Sequence, residues 1–85
     1  MMKLLNYYNK SMNIQIKSLG ENHPSLAITY NNIGSVYYNK SDYDEALNYY
    51  NKCRDIQIKS LGENHPLTKI TKKNLDLLIL KIKIK

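Results

Sequence analysis

The sequence has no Trp and no Phe, one Cys, two Pro and three Gly in 85 residues. Aromatic packing therefore falls to eight Tyr, each with a hydroxyl that needs a polar partner when buried. A lone cysteine, Cys53, excludes an intrachain disulfide and fits a reducing, intracellular compartment, so a cytoplasmic location is expected. No apolar run approaches the roughly 20 residues of a membrane span. Asn6 and Asn9 interrupt the one stretch, from Met1, that could begin a signal peptide. The chain has no glycine-rich phosphate loop, no paired-carboxylate motif and no Ser/Cys–His–Asp arrangement. No catalytic residue and no cofactor site is expected, and the chain reads as a non-enzyme.

What is present is globular in composition, 42% hydrophobic and 24% charged. The length allows one small domain with a marginal core. The net charge of +6 is uneven. Residues 1–65 hold seven Lys/Arg and six Asp/Glu, whereas residues 66–85 hold six Lys and one Asp. The basic character belongs to the last segment.

The sequence also repeats itself. Leu5 to Pro24 reads LNYYNKSMNIQIKSLGENHP and Leu47 to Pro66 reads LNYYNKCRDIQIKSLGENHP, 42 residues apart. They differ only at Ser11/Cys53, Met12/Arg54 and Asn13/Asp55. A period of this length is the mark of a stacked supersecondary unit, and such units usually need about three copies for stability. Here 85 residues hold barely two periods.

LGENHP, which occurs twice, reads as a helix stop, a loop and a helix start. Gly20 and Gly62 can close a helix in a left-handed conformation. Pro24 and Pro66 suit a first helical turn, with His23 or Asn22, and His65 or Asn64, as caps. Tyr30, Ile33, Gly34 and Tyr37 recur at spacings of three and four, as one helix face requires. Asp42 with Glu45 forms a capping-box-like start for the next helix. Its apolar stripe runs through Ala46, Leu47, Tyr50, Cys53 and Ile56 to Leu61. The expectation is an all-α, antiparallel helix-turn-helix solenoid of about four helices and no strands.

Tyr30-x-x-Ile33-Gly34-x-x-Tyr37, followed by Ala46-x-x-x-Tyr50, resembles the tetratricopeptide pattern W-x-x-L-G-x-x-Y…A-x-x-x-F. The 42-residue period, the LGENHP segment and the Asn31-Asn32 pair make it similar to the kinesin-light-chain type of that repeat. The resemblance implies a half repeat over 1–22 (second helix only), one complete repeat over 23–64, and a half repeat over 65–85 (first helix) with a basic tail. It explains Gly34 and Ala46 as small residues at a close helix crossing. Cys53 stands where the family usually has Ala, as a small buried residue. Asp76, Lys72 and Ile79 depart from the pattern, replacing the residues equivalent to Gly34, Tyr30 and Tyr37.

The resemblance further implies a peptide groove on the face of the first helices turned from their core contact. Those residues are Ile28, Asn31, Asn32, Ser35, Tyr38 and Asn39, then Ile70, Lys73, Asn74, Leu77 and Leu80 one period on. Asparagine both donates and accepts, which suits a peptide backbone of unfixed sequence. An ordinary solvated face in an Asn-rich chain accounts for the same residues. The expected role is a protein-interaction module for an extended peptide or partner helix. One alternative is a fragment of a longer array that self-associates as a homo-oligomer through its open end helices. Another is a basic module for anionic surfaces or nucleic acid through residues 69–85, though those lysines lack arginine and interleaved aromatics. His23 and His65, beside Glu21 and Glu63, invite a metal, but zinc needs three or four convergent ligands. The repeat already explains both histidines, and no metal site is expected.

Overall fold

The computed structural model describes residues 2–20 and 23–84. Asn22 lies outside the described residues. Four helices follow one another: α1 (Met2–Leu19), α2 (Pro24–Asn39), α3 (Tyr43–Leu61) and α4 (Pro66–Ile84). Among the described residues there is no strand. Close backbone contacts join α1 to α2, α2 to α3 and α3 to α4, and no other pair. This zigzag places α1 and α3 in one layer and α2 and α4 in the other. The molecule extends over 40 × 34 × 14 Å. Its thinnest dimension is what two helix layers about 9 Å apart give. It is an all-α antiparallel solenoid.

The helix ends follow from local chemistry. His23 caps α2, its Nδ1 accepting from the Ser25 N–H at 3.1 Å, with Pro24 in the first turn. His65 repeats the bond to the Leu67 N–H, also at 3.1 Å. Asp42 caps α3 by accepting from the Glu45 N–H at 3.4 Å, and Asp44 and Glu45 set negative charge at the positive end of the helix dipole. Gly20 and Gly62 stand at φ +89° and +91°, where a side chain is strained. The turn after α2 is closed by a residue with a side chain: Ser41 sits at φ 64°. The Ser41 N–H donates to the Tyr38 carbonyl and the Asp42 N–H to that of Tyr37, which is a Schellman closure without glycine.

The core is a strip between the layers. Leu26, Ala27, Tyr30, Cys53 and Ile56 form one buried cluster between α2 and α3. Ala46, Tyr50, Leu75 and Leu78 join α3 to α4, and Leu5, Ile33 and Val36 join α1 to α2. Gly34 is the point of closest approach. A Cβ there would stand 2.9 Å from the Tyr50 ring. The tyrosines replace bulkier aromatics by working in groups. Tyr37 and Tyr49 stack at 5.7 Å with rings 9° apart, and Tyr30 leans on Tyr49 at 6.0 Å. Lys52 lies over both Tyr30 and Tyr49. At the far end Lys81 of α4 lies 4.8 Å over Tyr38 and 5.7 Å over Tyr43, tying α4 to the α2–α3 corner.

Gly34→Leu is expected to lower stability by about 1–3 kcal/mol through overpacking at the crossing. The exposed Asn48→Ala is expected to stay within about 0.5 kcal/mol. Chemical denaturation of both variants checks this; equal losses would misplace the crossing. Ser41→Gly relieves about 1–2 kcal/mol of left-handed strain against about 0.4–1 kcal/mol of added unfolded-state entropy. The net gain, up to roughly 1 kcal/mol, appears as a melting temperature higher by a few degrees.

Candidate interaction groove

Because α2 and α4 both rest on α3 without touching each other's backbone, a furrow runs between them. It holds three cavities in sequence. At one end Pro24, Ile28, Gln57, Leu61 and Leu67 line a space of about 190 Å3. In the middle Ile28, Asn31, Gln57, Ile70 and Asn74 line another of about 190 Å3. At the other end Tyr38, Tyr50, Asn74 and Leu77 line one of about 220 Å3. Ile28, Gln57 and Leu67 are shared by the first two, and Asn74 by the last two, so the furrow is continuous.

Of the expected groove residues, the structure brings Ile28, Asn31 and Tyr38 of α2 together with Ile70, Asn74 and Leu77 of α4. Ile28, Ile70 and Leu77 are well exposed. Ser35 is half-buried beneath the rim, its Oγ donating to the Asn31 carbonyl at 3.0 Å and paired with the Tyr50 hydroxyl at 3.0 Å. Asn39, Lys73 and Leu80 are exposed, Asn39 at the end of α2. Asn32 shares its stripe of α2 with Thr29 and Val36, at spacings of three and four. Those two face α1: Thr29 donates to Gln15 Oε1 at 2.6 Å, and Val36 packs beside Leu5. Asn31, rather than Asn32, shares a cavity with Asn74.

The floor comes from α3, which the sequence reading did not include. Tyr50 and Gln57 are seven residues apart, two turns of one stripe, and that spacing was the available signal. Gln57 Oε1 is buried without a hydrogen-bond partner. Its copy in the first repeat, Gln15, accepts from Thr29. The equivalent hydroxyl, Thr71 Oγ1, turns instead to the Leu67 carbonyl at 3.2 Å and to Cys53 Sγ at 3.9 Å.

The titrating groups around the furrow are packed rather than activated. Burial pushes the Cys53 thiol up, against a smaller lowering by Thr71. Burial, followed by Tyr37, raises the Tyr49 phenol. The Tyr38 hydroxyl beside it, as a hydrogen-bond partner, holds the Lys81 ammonium above its ordinary value. Lys72 approaches Glu63 at 4.0 Å, a surface pair of little energetic consequence. Among the described residues no three His, Cys, Asp or Glu side chains come together as a metal site.

The sequence model described as tetratricopeptide repeat matches the chain twice, over residues 2–59 and 25–75. The chain belongs to the tetratricopeptide repeat family. Repeats of this family are non-catalytic scaffolds for protein–protein interaction, and the two-layered helix stack here is of that kind. The overlapping matches begin at the start of α1 and in the first turn of α2. No curated protein matches the sequence. No helix among the described residues is long and apolar enough to cross a membrane.

Two consequences follow for Cys53. Its thiol is expected to react with a disulfide reagent at least about a hundredfold more slowly in the native tetratricopeptide fold than in denaturant, because only the accessible thiolate attacks. Stability is also expected to fall on the alkaline side. A folded-state pKa above the unfolded one contributes stability below the unfolded value and loses it as pH rises through the folded value. Cys53, Tyr49 and Lys81 all shift upward, so the loss begins above about pH 8.5, where the unfolded thiol titrates. Urea denaturation at stepped pH reads it, and an unchanged midpoint from pH 8 to pH 10 would contradict it.

Proposed function

We propose that the chain is an interaction module whose α2–α4 furrow binds an extended peptide or a partner helix. The observation that carries this is the furrow itself. It is an apolar line of Ile28, Leu67, Ile70 and Leu77, left exposed, with the amides of Asn31 and Asn74 set between them. Buried apolar side chains of a ligand would supply affinity at roughly 25 cal/mol per Å2 of surface removed from water. The amides would satisfy a ligand's backbone donors and acceptors without demanding a sequence. Gln57, with unmet hydrogen-bonding capacity, lies at the floor between them. The 42-residue period and the doubled LGENHP support placing the module with the kinesin-light-chain type of repeat. The same period supports the division into 1–22, 23–64 and 65–85. The lone reduced cysteine supports a cytoplasmic setting.

The rival basic surface has fewer free groups than its composition suggests. Lys81 is engaged by Tyr38 and Tyr43, and Lys72 lies near Glu63. Lys85 lies outside the described residues. Lys69, Lys73 and Lys83 remain on the surface.

The test is to select peptides by display on the immobilised chain and measure one binder in solution. Leu77→Asp is expected to weaken it at least about tenfold, or 1.4 kcal/mol. Asn31→Ala with Asn74→Ala is expected to cost about 1–3 kcal/mol in all, two hydrogen bonds of roughly 0.5–1.5 each. Melting temperatures should barely move. Unchanged affinity in both variants overturns the groove. Steep salt dependence together with loss of binding on Lys73→Ser and Lys83→Ser would place the site on the basic end.

A further inference from the structure

We infer that Gln57 of α3 is the residue by which the furrow selects an extended peptide over a helix. Its amide oxygen accepts a backbone N–H lying between two apolar side chains of the ligand, four residues apart. This deepens the furrow reading and rests on it.

The basis is an acceptor left over. Gln57 lines both the apolar end of the furrow and its middle cavity, and its Oε1 is buried without a hydrogen-bond partner. Such an atom is costly unless something donates to it. The first repeat shows the same oxygen satisfied, since Gln15, the copy of Gln57, accepts from the Thr29 hydroxyl at 2.6 Å. Thr71 is the copy of Thr29 and lines the middle cavity with Gln57. Its hydroxyl is taken by the Leu67 carbonyl and paired with Cys53. Cys53 is Ser11 in the first repeat, so one of the three differences between the copies stands beside the diverted hydroxyl. The terminal torsion of a glutamine is broad. A small turn of the amide therefore brings Oε1 into the cavity that the side chain already lines.

The surroundings narrow the donor. Among the described residues no charged side chain lines the three cavities. A carboxylate or phosphate has only acceptors to set against Oε1, and an ammonium finds no carboxylate there. A neutral N–H carried on an apolar chain fits. The amides of Asn31 and Asn74 line the same middle cavity as Gln57, so amides from three helices meet between the two end cavities. A helix keeps its N–H groups bonded within itself after the first four, and cannot offer them to those amides. An extended chain leaves them free along its length. Spacing then follows from the helix. Ile28 lines the apolar end and Tyr38 the aromatic end, ten residues apart on α2. At about 1.5 Å per residue that is about 15 Å. An extended chain covers it in four to five residues at roughly 3.3 Å each, and only an even number keeps both side chains on one face. The anchors are therefore residues i and i+4, with the backbone between them crossing Gln57.

The probes are peptides selected by display on the immobilised chain, with the Leu77→Asp variant as counter-selection. Gln57→Met keeps the length of the side chain and removes the unmet acceptor. It is expected to melt higher than the parent, because a buried orphan is gone, yet to bind about three- to tenfold more weakly. A role in packing alone would move both in the same direction. N-methylation along the peptide locates the bond. At one position between the anchors it should weaken binding to the parent about tenfold and leave binding to Gln57→Met unchanged. Alanine scanning of the peptide should place its two largest losses four residues apart. A binder lost on Leu77→Asp but indifferent to Gln57→Met overturns this inference and leaves the furrow reading standing. A binder that becomes helical in the complex, read by circular dichroism, does the same. If no binder is sensitive to Leu77→Asp, the furrow reading itself falls and this inference with it.

Discussion

The ring of Tyr50 lies against bare backbone at Gly34, and most of the molecule is arranged around that contact. With no Cβ between them, α2 and α3 approach closely enough for the Tyr50 hydroxyl to reach Ser35. Ala46, one turn before Tyr50, is fully buried for the same reason. The approach brings Tyr49 between Tyr30 and Tyr37 and Cys53 against Leu26 and Ala27. It also makes Tyr50 serve twice, since the ring that fills the crossing lines one end of the furrow between α2 and α4. Packing and the candidate binding surface share a side chain, so changes at the crossing are felt in the groove.

A chain with tyrosine as its only aromatic must satisfy hydroxyls as well as fill space. The structure does this both within the core and at its edges. Tyr50 bonds Ser35, and Tyr38 meets Lys81. Tyr37 and Tyr49 stack near the surface with Lys40 and Lys52 over them. Lysines thereby become packing residues, their long stems covering aromatic faces while the charge stays wet. This accounts for part of an excess of lysine that composition alone suggests is a binding patch.

Duplication produces two different environments from one sequence. Leu5 and Leu47 meet the next helix in the same way, yet Tyr7 and Ile14 are open where Tyr49 and Ile56 are covered. Gln15 Oε1 finds Thr29, while Gln57 Oε1 is left without a partner as Thr71 turns to Cys53 and the Leu67 carbonyl. Stacked repeats derive their stability from neighbours. Identical residues therefore differ in burial, hydrogen bonding and availability according to which neighbours stand beside them.

The sequence by itself determined the helices and their order. His23, Asp42, Gly62 and Pro66 act within one turn of where they stand, and apolar spacing is a property of a single helix. It also singled out Gly34, because a glycine amid a helical stripe needs a close neighbour to explain it. The face that holds Ile28, Asn31 and Ile70 was legible for the same reason of periodicity. Only the tertiary structure decided that Asn31, and not Asn32, joins Asn74, since that depends on which flank of α2 turns toward α4. It alone set Gln57 and Tyr50 on the floor, placed Ser41 in a left-handed turn, and buried Leu5 while leaving Tyr7 open. Each of these is fixed by the angle and side at which helices meet, and no single segment of the chain carries that information.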